Sequence, residues 1–422
     1  MKHPIKRILK KSIGWLHLWI GLVAGLIILI SMFGAAVFVW EDELTNWYYQ
    51  DLVFVPEVGE ELLPPSELFQ VIEEAYPGEE FRSFGLSNDP RKGYTFFVFK
   101  RSASPGWTWW STIDRYERIY VDPYQGKVLG SIDMKHDWIQ NCRRLHQNLL
   151  LYPKVGEMIV GIAALIMIFM ALSGLYLWWP KNWRMLKMRL KIKWKARWRR
   201  VNWDLHSVGG FYTYLFILFF ATTGLVWTFN WWRDGIYHLL GNDPQEVFAK
   251  HELPVMPCGL QMEAVDIAFE DAIQRQNSWY EMSFRRPSED QEEGEISAFI
   301  RFKHPDSWWE TSDSYAYHPE TGALYWDRTH EDKLLGEKWR NANYAMHVGS
   351  IYGWPTKIIA FISALFFAFL PISGFLIWWG RKKKKKAKRK NKSSSAAKQI
   401  PRKEVVKSSV KPKPEKEPTP FV

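Results

Sequence analysis

Four histidines, His17, His146, His206 and His347, stand at corresponding ends of four apolar stretches in this chain of 422 residues. A neutral imidazole offers a lone pair to a metal and an N–H to a partner. An ionisable side chain within a membrane segment is rare and marks a functional site by default. Four at matched positions point to a bound group, and inside a helical bundle that group is most often haem iron. One histidine at a helix end reads more simply as an interfacial polar residue. Repetition of the position is what argues for ligation.

The apolar stretches are 18–40, 158–179, 208–232 and 357–379. Each has about the twenty residues a helix needs to cross ~30 Å of hydrocarbon. The first follows the basic run KRILKK, as a signal peptide would. It is too long for a signal core and no small-x-small site follows, so it reads as a retained anchor. Segments 1–13, 180–205 and 381–422 hold most of the 56 Lys and Arg but only four of the 45 acids, Asp204, Glu404, Glu415 and Glu417. The positive-inside rule puts these segments and both termini in the cytoplasm, and two acidic segments outside. The net charge of +11 then reflects a basic tail beside anionic lipid, not nucleic acid. Tryptophan pairs at 178–179, 231–232 and 378–379 mark the headgroup level. An interface belt accounts for most of them without an electron-relay role.

In this topology His17 and His206 open helices on the cytoplasmic side, and His146 and His347 open helices on the outer side. Two imidazoles per leaflet, one from each of two helices, suit bis-histidine haem ligation. With both axial positions filled, such iron carries electrons and does not bind oxygen. The expected cofactors are two b-type haems, ligated by His17/His206 and His146/His347. No C-x-x-C-H attaches a haem covalently, and there is no GxGxxG, P-loop, flavin or nicotinamide fingerprint. The electron donor is therefore another molecule: a quinol, a flavin or a reductase. Gly21 and Gly25 lie one and two turns beyond His17, and Gly210 one turn beyond His206, leaving a bare face for a flat macrocycle. Small-xxx-small helix packing explains Gly21 and Gly25 at least as well. His3, His136, His238, His251 and His318 fall in tails or outer segments and are assigned to the surface. His136, about two turns before the second helix, lies nearest a span. Cys142 and Cys258 both fall on the oxidising side, where disulfides form, but nothing in the sequence brings them together. Cys142 reads more simply as a small residue near a helix start.

LSGLYLWWP (172–180) recurs as ISGFLIWWG (372–380), and VDPYQGKVLG (121–130) as YHPETGALYW (317–326). The second pair reads as strand, glycine turn, strand. The chain is thus a duplicated unit of helix, outer module, helix, and such repeats often place their sites between the copies. The expected fold class is an α-helical membrane protein, a four-helix transmembrane bundle with two extracytoplasmic α+β modules. Its divisions are 1–40 (basic N-terminus and first helix), 41–145 (outer module 1), 146–180 (second helix) and 181–205 (basic cytoplasmic loop). Then follow 206–232 (third helix), 233–346 (outer module 2), 347–380 (fourth helix) and 381–422 (basic tail). In each module a helix, 65–76 or 262–276, leads into antiparallel strands. The Lys-, Ser- and Pro-rich tail is expected to be disordered.

The stretches WLHLWIGLVAGL, RLHQNLL, SGLYLWWP, DLHSVGGFY, MHVGSIYG and SGFLIWWG resemble the PepSY-associated transmembrane helix family over nearly all of the chain except the tail. VDPYQGKVLG is similar to the closing hairpin of its PepSY modules. The resemblance implies a bacterial inner-membrane protein linked to iron uptake, with some members acting as haem-containing reductases of ferric siderophores in the periplasm. It carries over His17, His146, His206 and His347 as haem ligands. The expected function is electron transfer from the His17/His206 site to the His146/His347 site and on to a ferric siderophore. Fe(II) binds hard-oxygen chelators far more weakly than Fe(III), so one electron releases the metal. Trp107, Trp109, Trp110, Trp308 and Trp309 could line a docking surface, or simply pack. Two other readings remain. One is a non-enzymatic sensor or anchor whose PepSY modules bind a peptide or protein. The other is a metal or haem transporter, against which stands the long apolar middle of the spans.

Overall fold

The computed structural model describes residues 4–248, 259–275, 278–288, 293–302 and 311–398. Four helices in it are long and apolar enough to cross a membrane: Ile5–Phe38, Pro153–Trp178, Trp198–Thr228 and Trp354–Lys382. Helix α1 (Pro4–Phe38) begins well before its apolar run, because no proline interrupts KRILKKSIGW. His17 therefore lies more than three turns inside α1 and not at its start. Next come α2 (Glu41–Tyr48), α3 (Pro65–Ala75) and strands β1 (Ser83–Ser87), β2 (Tyr94–Arg101), β3 (Ile113–Val121) and β4 (Val128–Asp133). They lead to α4 (Trp138–Asn148) and the spanning helix α5 (Pro153–Trp178).

The second copy repeats the plan. Trp198–Asp204 runs through a π-helical stretch, Leu205–Gly209, into α6 (Gly210–Thr228). Helix α7 (Met262–Arg275) precedes β5 (Trp279–Arg285), β6 (Ile296–Phe302), β7 (Thr311–Tyr317) and β8 (Leu324–Arg328). Then come α8 (Leu335–Val348) and α9 (Trp354–Lys398). Helix α9 continues through 381–398, where disorder was expected, because the Lys-, Arg- and Ala-rich run contains good helix formers and no proline before Pro401. Residues 399–422 lie outside the described residues.

His146 and His347 do not open the spans. They sit in the last turns of α4 and α8, amphipathic helices that precede the spans. Left-handed residues end both helices: Leu149 (φ 56°) and Leu150 (φ 58°) in one copy, Gly349 (φ 80°) in the other. Each span then restarts, at Pro153 and at Trp354. The bundle closes around Ala24 and Ile28 of α1, Ala163, Met167 and Ala171 of α5, Ile217 of α6 and Phe367 of α9.

The two outer modules are one sheet. Its eight antiparallel strands run β4-β3-β2-β1-β5-β6-β7-β8. The copies join where β1 pairs β5, with Phe84 opposite Phe284. Isolated, each four-stranded half would expose an edge of unpaired backbone groups, and pairing removes it. Helices α3 and α7 lie over the joint, where the Ser66 amide and hydroxyl donate to Asp266 at 2.9 and 2.6 Å. One apolar core, including Phe69, Phe84, Phe96, Phe269 and Phe284, runs through both copies. At the rim, Lys357 Nζ donates to both Glu43 oxygens at 2.9 Å, tying the start of α9 to α2.

Phe84 and Phe284 are 1 % and 0 % exposed with ring centres 5.6 Å apart. Phe84→Ala and Phe284→Ala are each expected to cost about 3–5 kcal/mol. Their double-mutant cycle is expected to show a coupling of about 0.5–1.5 kcal/mol in unfolding followed by tryptophan fluorescence. Strictly additive losses would mean that the halves fold as separate sheets.

Candidate cofactor site: two facing histidine pairs

The four histidines meet as two pairs, each with one member from each copy. His17 and His206 have ring centres 6.5 Å apart with planes at 88°, and His146 and His347 have centres 6.0 Å apart with planes at 33°. All four rings are half-buried. An imidazole nitrogen binds a metal at about 2.0 Å with the ring centre about 1.1 Å behind it, so two imidazoles on opposite faces of one metal have centres about 6 Å apart. Both pairs match that spacing. Among the described residues no group of three or more His, Cys, Asp or Glu gathers as a metal site. Two imidazoles suit a metal that brings its remaining ligands with it, as haem iron does.

Hydrogen bonding fixes the tautomer of each ring. The Nδ1 atoms of His17, His206, His347 and His146 lie 2.8, 2.7, 2.9 and 3.1 Å from the hydroxyls of Ser173, Ser373, Thr223 and Ser31. A hydroxyl has one proton to give. Ser173 donates it to the Met170 carbonyl at 3.3 Å, Ser373 to Leu370 at 2.9 Å, Thr223 to Phe219 at 2.8 Å and Ser31 to His146 at 2.9 Å. Each hydroxyl oxygen therefore accepts from the imidazole. Nδ1 carries the ring proton, and the lone pair sits on Nε2. The Ser31 carbonyl, 3.2 Å from His146 Nδ1, demands the same tautomer. Metal-binding histidines are commonly oriented by a partner on the other nitrogen in this way.

Beside three of the four hydroxyls stands a glycine that seats the ring. A Cβ on Gly174 would meet His17 Cε1 at 3.3 Å, one on Gly374 would meet His206 Cε1 at 3.4 Å, and one on Gly224 would meet His347 Cε1 at 2.9 Å. The repeated Ser-Gly of LSGLYLWW and ISGFLIWW is thus a histidine holder. The repeat was visible in the sequence, but its role was not, because Ser173 and Ser373 hold rings 156 and 167 residues away. Two asparagines were also missed. Asn202 and Asn343 lie one turn before His206 and His347 and donate to the carbonyls of Ser373 and Thr223, each at 3.2 Å. The same positions in the first copy are Ile13 and Cys142. Near His206 the helix is π-wound, a distortion frequent at functional sites.

Other expectations fare differently. Gly21 and Gly25 pack against Met170 and Pro371, and Gly210 approaches Leu370, so these glycines admit neighbouring helices and do not line a histidine. His136 is exposed and paired with Asp133 at 2.7 Å. His238 is exposed, and His318 Nδ1 accepts from the Glu320 amide within a turn. Burial raises the Cys142 thiol pKa. Cys258, His3, His251, Trp308 and Trp309 lie outside the described residues. Trp107 is exposed, whereas Trp109 is buried with the Arg144 guanidinium 3.8 Å from its ring centre, and Trp110 donates to Asn141. Trp109 and Trp110 are thus packing residues that brace α4.

Residues 14–381 match a family model described as the PepSY-associated TM region. No curated protein matches the chain.

Ser173→Ala and Ser373→Ala are each expected to weaken binding of a b-type metalloporphyrin about 10–100-fold, read by absorbance titration of the detergent-purified chain. Thr223→Ser, which keeps the hydroxyl, is expected to bind as the parent does. Unchanged affinity in the alanine variants would remove the holders from the site.

Proposed function

The chain belongs to the PepSY-associated TM region family, and we propose that it is a transmembrane electron-transfer protein. In this reading His17/His206 and His146/His347 hold two b-type haems, and the final acceptor is a ferric siderophore on the side of the sheet. The facing imidazoles, each with Nδ1 committed to a hydroxyl, carry the proposal. Haem iron supplies the one-electron chemistry.

The chain's own residues do the rest. Ser31, Ser173, Thr223 and Ser373 hold the four Nε2 lone pairs in place. The apolar core of Ala24, Ile28, Met167, Ile217 and Phe367 excludes water between the two pairs. Helix α1 sets their separation. His17 and Ser31, the holder of His146, are about 21 Å apart at 1.5 Å per residue, so groups held at the two pairs would stand most of the bilayer apart. The positive-inside pattern favours both termini in the cytoplasm and the sheet outside, and the family resemblance implies that the membrane is a bacterial inner membrane and the outer side the periplasm. An external donor, a quinol, flavin or reductase, delivers electrons at the His17/His206 end. Such a protein is a haem-dependent ferric-chelate reductase.

The visible spectrum of the purified chain is expected to show low-spin b-type bands at about two haems per chain. Ring-plane angles of 88° and 33° should give two distinct low-spin electron paramagnetic resonance signals, because the relative imidazole orientation sets the splitting of the iron orbitals. His347→Ala is expected to remove the signal of the 33° pair and to spare the other. A colourless protein from haem-replete cells would sink the proposal and favour a sensor or anchor.

A further inference from the structure

Arg143 and Tyr344 occupy equivalent places in the two copies, three residues before His146 and His347. Helix α4 runs along the last turns of α1. There His146 meets Ser31, the Cys142 carbonyl faces Gly34, and the Arg143 guanidinium lies 5.1 Å from the Phe38 ring centre. The order Ser31, Gly34, Phe38 climbs α1 toward the sheet. Arg143 therefore stands about 4.5 Å to the sheet side of His146, one helical turn up. By the repeat, Tyr344 stands likewise above His347.

The chemistry of this level is unfinished. Arg143 and Arg118 each keep a buried Nε without a hydrogen-bond partner. A guanidinium taken out of water needs a partner that restores its hydrogen bonds. Glu41 lies within electrostatic reach of both arginines, but burial pushes its carboxyl pKa upward against their pull. Tyr344 is 40 % exposed, and a phenol, which ordinarily ionises near pH ~10, keeps its proton there as a donor at neutral pH. Two arginines and a phenol thus present donors that the chain does not fully use.

We infer that Arg143, Arg118 and Tyr344 form a carboxylate seat on the sheet side of the outer histidine pair, and that its occupant is the propionate edge of the porphyrin held by His146 and His347. The inference rests on the haem reading above. A b-type macrocycle has two carboxylates on one edge and an apolar opposite edge. Below the outer pair the surroundings are aromatic: Phe220 is 6.2 Å from the His347 ring and 6.3 Å from Phe367. The apolar edge belongs there, and the carboxylates must point to the sheet, where charge-assisted donors wait. At the inner pair the equivalent positions, three residues before His17 and His206, hold Gly14 and Trp203, neither of which is a cation.

A carboxylate of a bound acceptor would use the same donors, so the test separates the two sources. The haem-free full chain in detergent is loaded with haemin or with haemin dimethyl ester, with no acceptor present. Occupancy of each site is read from its resonance signal, and retention from the rate of loss to an apoglobin. Wild type is expected to hold haemin at the outer site roughly 10–100-fold more tightly than the ester. Arg143→Leu should abolish most of that preference, Arg143→Lys should keep part of it, and Tyr344→Phe should lose a smaller share. Inner-site loading, unchanged in the same molecules, shows that the variants are folded. Equal retention of haemin and ester by wild type, or an undiminished preference in Arg143→Leu, overturns the seat while leaving the haem reading intact. If neither porphyrin gives a bis-imidazole signal at either site, both fall.

Discussion

An imidazole N–H placed among apolar helices must find an acceptor, and that requirement organises the middle of this molecule. Left unpaired, a buried donor costs about 1–3 kcal/mol. The four rings solve it alike, each giving its Nδ1 proton to a hydroxyl whose own proton is already used by a backbone carbonyl. The solution has a directional consequence. With Nδ1 committed, the remaining lone pair can only be on Nε2, and the ring cannot flip without breaking a bond in a low-dielectric setting. Structural satisfaction and the orientation of the Nε2 lone pair are here the same interaction.

The holders act within a copy and the pairs form between copies. Ser173 holds His17 and Ser373 holds His206, yet the rings that face one another are His17 and His206. The distance between partners therefore depends on how the two copies are locked together. Outside the bundle, the β1–β5 junction and the contact of Ser66 with Asp266 do this. Within it, α1, α5, α6 and α9 share a core. The continuous sheet is thus part of the geometry of the outer pair, and not a separate domain beside the bundle.

The sequence revealed the four histidines, their pairing, the helices observed at Pro65–Ala75 and Met262–Arg275, and the hairpins at 121–130 and 317–326. These follow from local pattern: apolar run lengths, charge asymmetry, and turns whose Gly126 and Gly322 take positive φ. What stayed hidden depends on contacts made at long range. Nothing in SFGLS or WYEMSFR tells that β1 and β5 pair, because an edge strand looks alike whether its partner is water or another strand. The position of His146 was misjudged for a related reason. RLHQNLL reads as the start of a span, until the left-handed Leu149 and Leu150 separate α4 from α5. Glycines near a histidine in sequence, Gly21 and Gly25, were less informative than Gly174 and Gly374, which are near it only in space.

The duplicated halves are not equal, and the inequality falls evenly on the two sites. Asn202 and Asn343 brace the holders of His206 and His347, while Ile13 and Cys142 leave His17 and His146 without that brace. Each facing pair consequently joins one ring whose holder is braced by an asparagine to one whose holder is not. Confining the asparagine braces to one copy gives each pair one braced holder. Placing the asymmetry between the copies, and not between the two faces of the membrane, provides this at both ends of the bundle from a single divergence of the repeats.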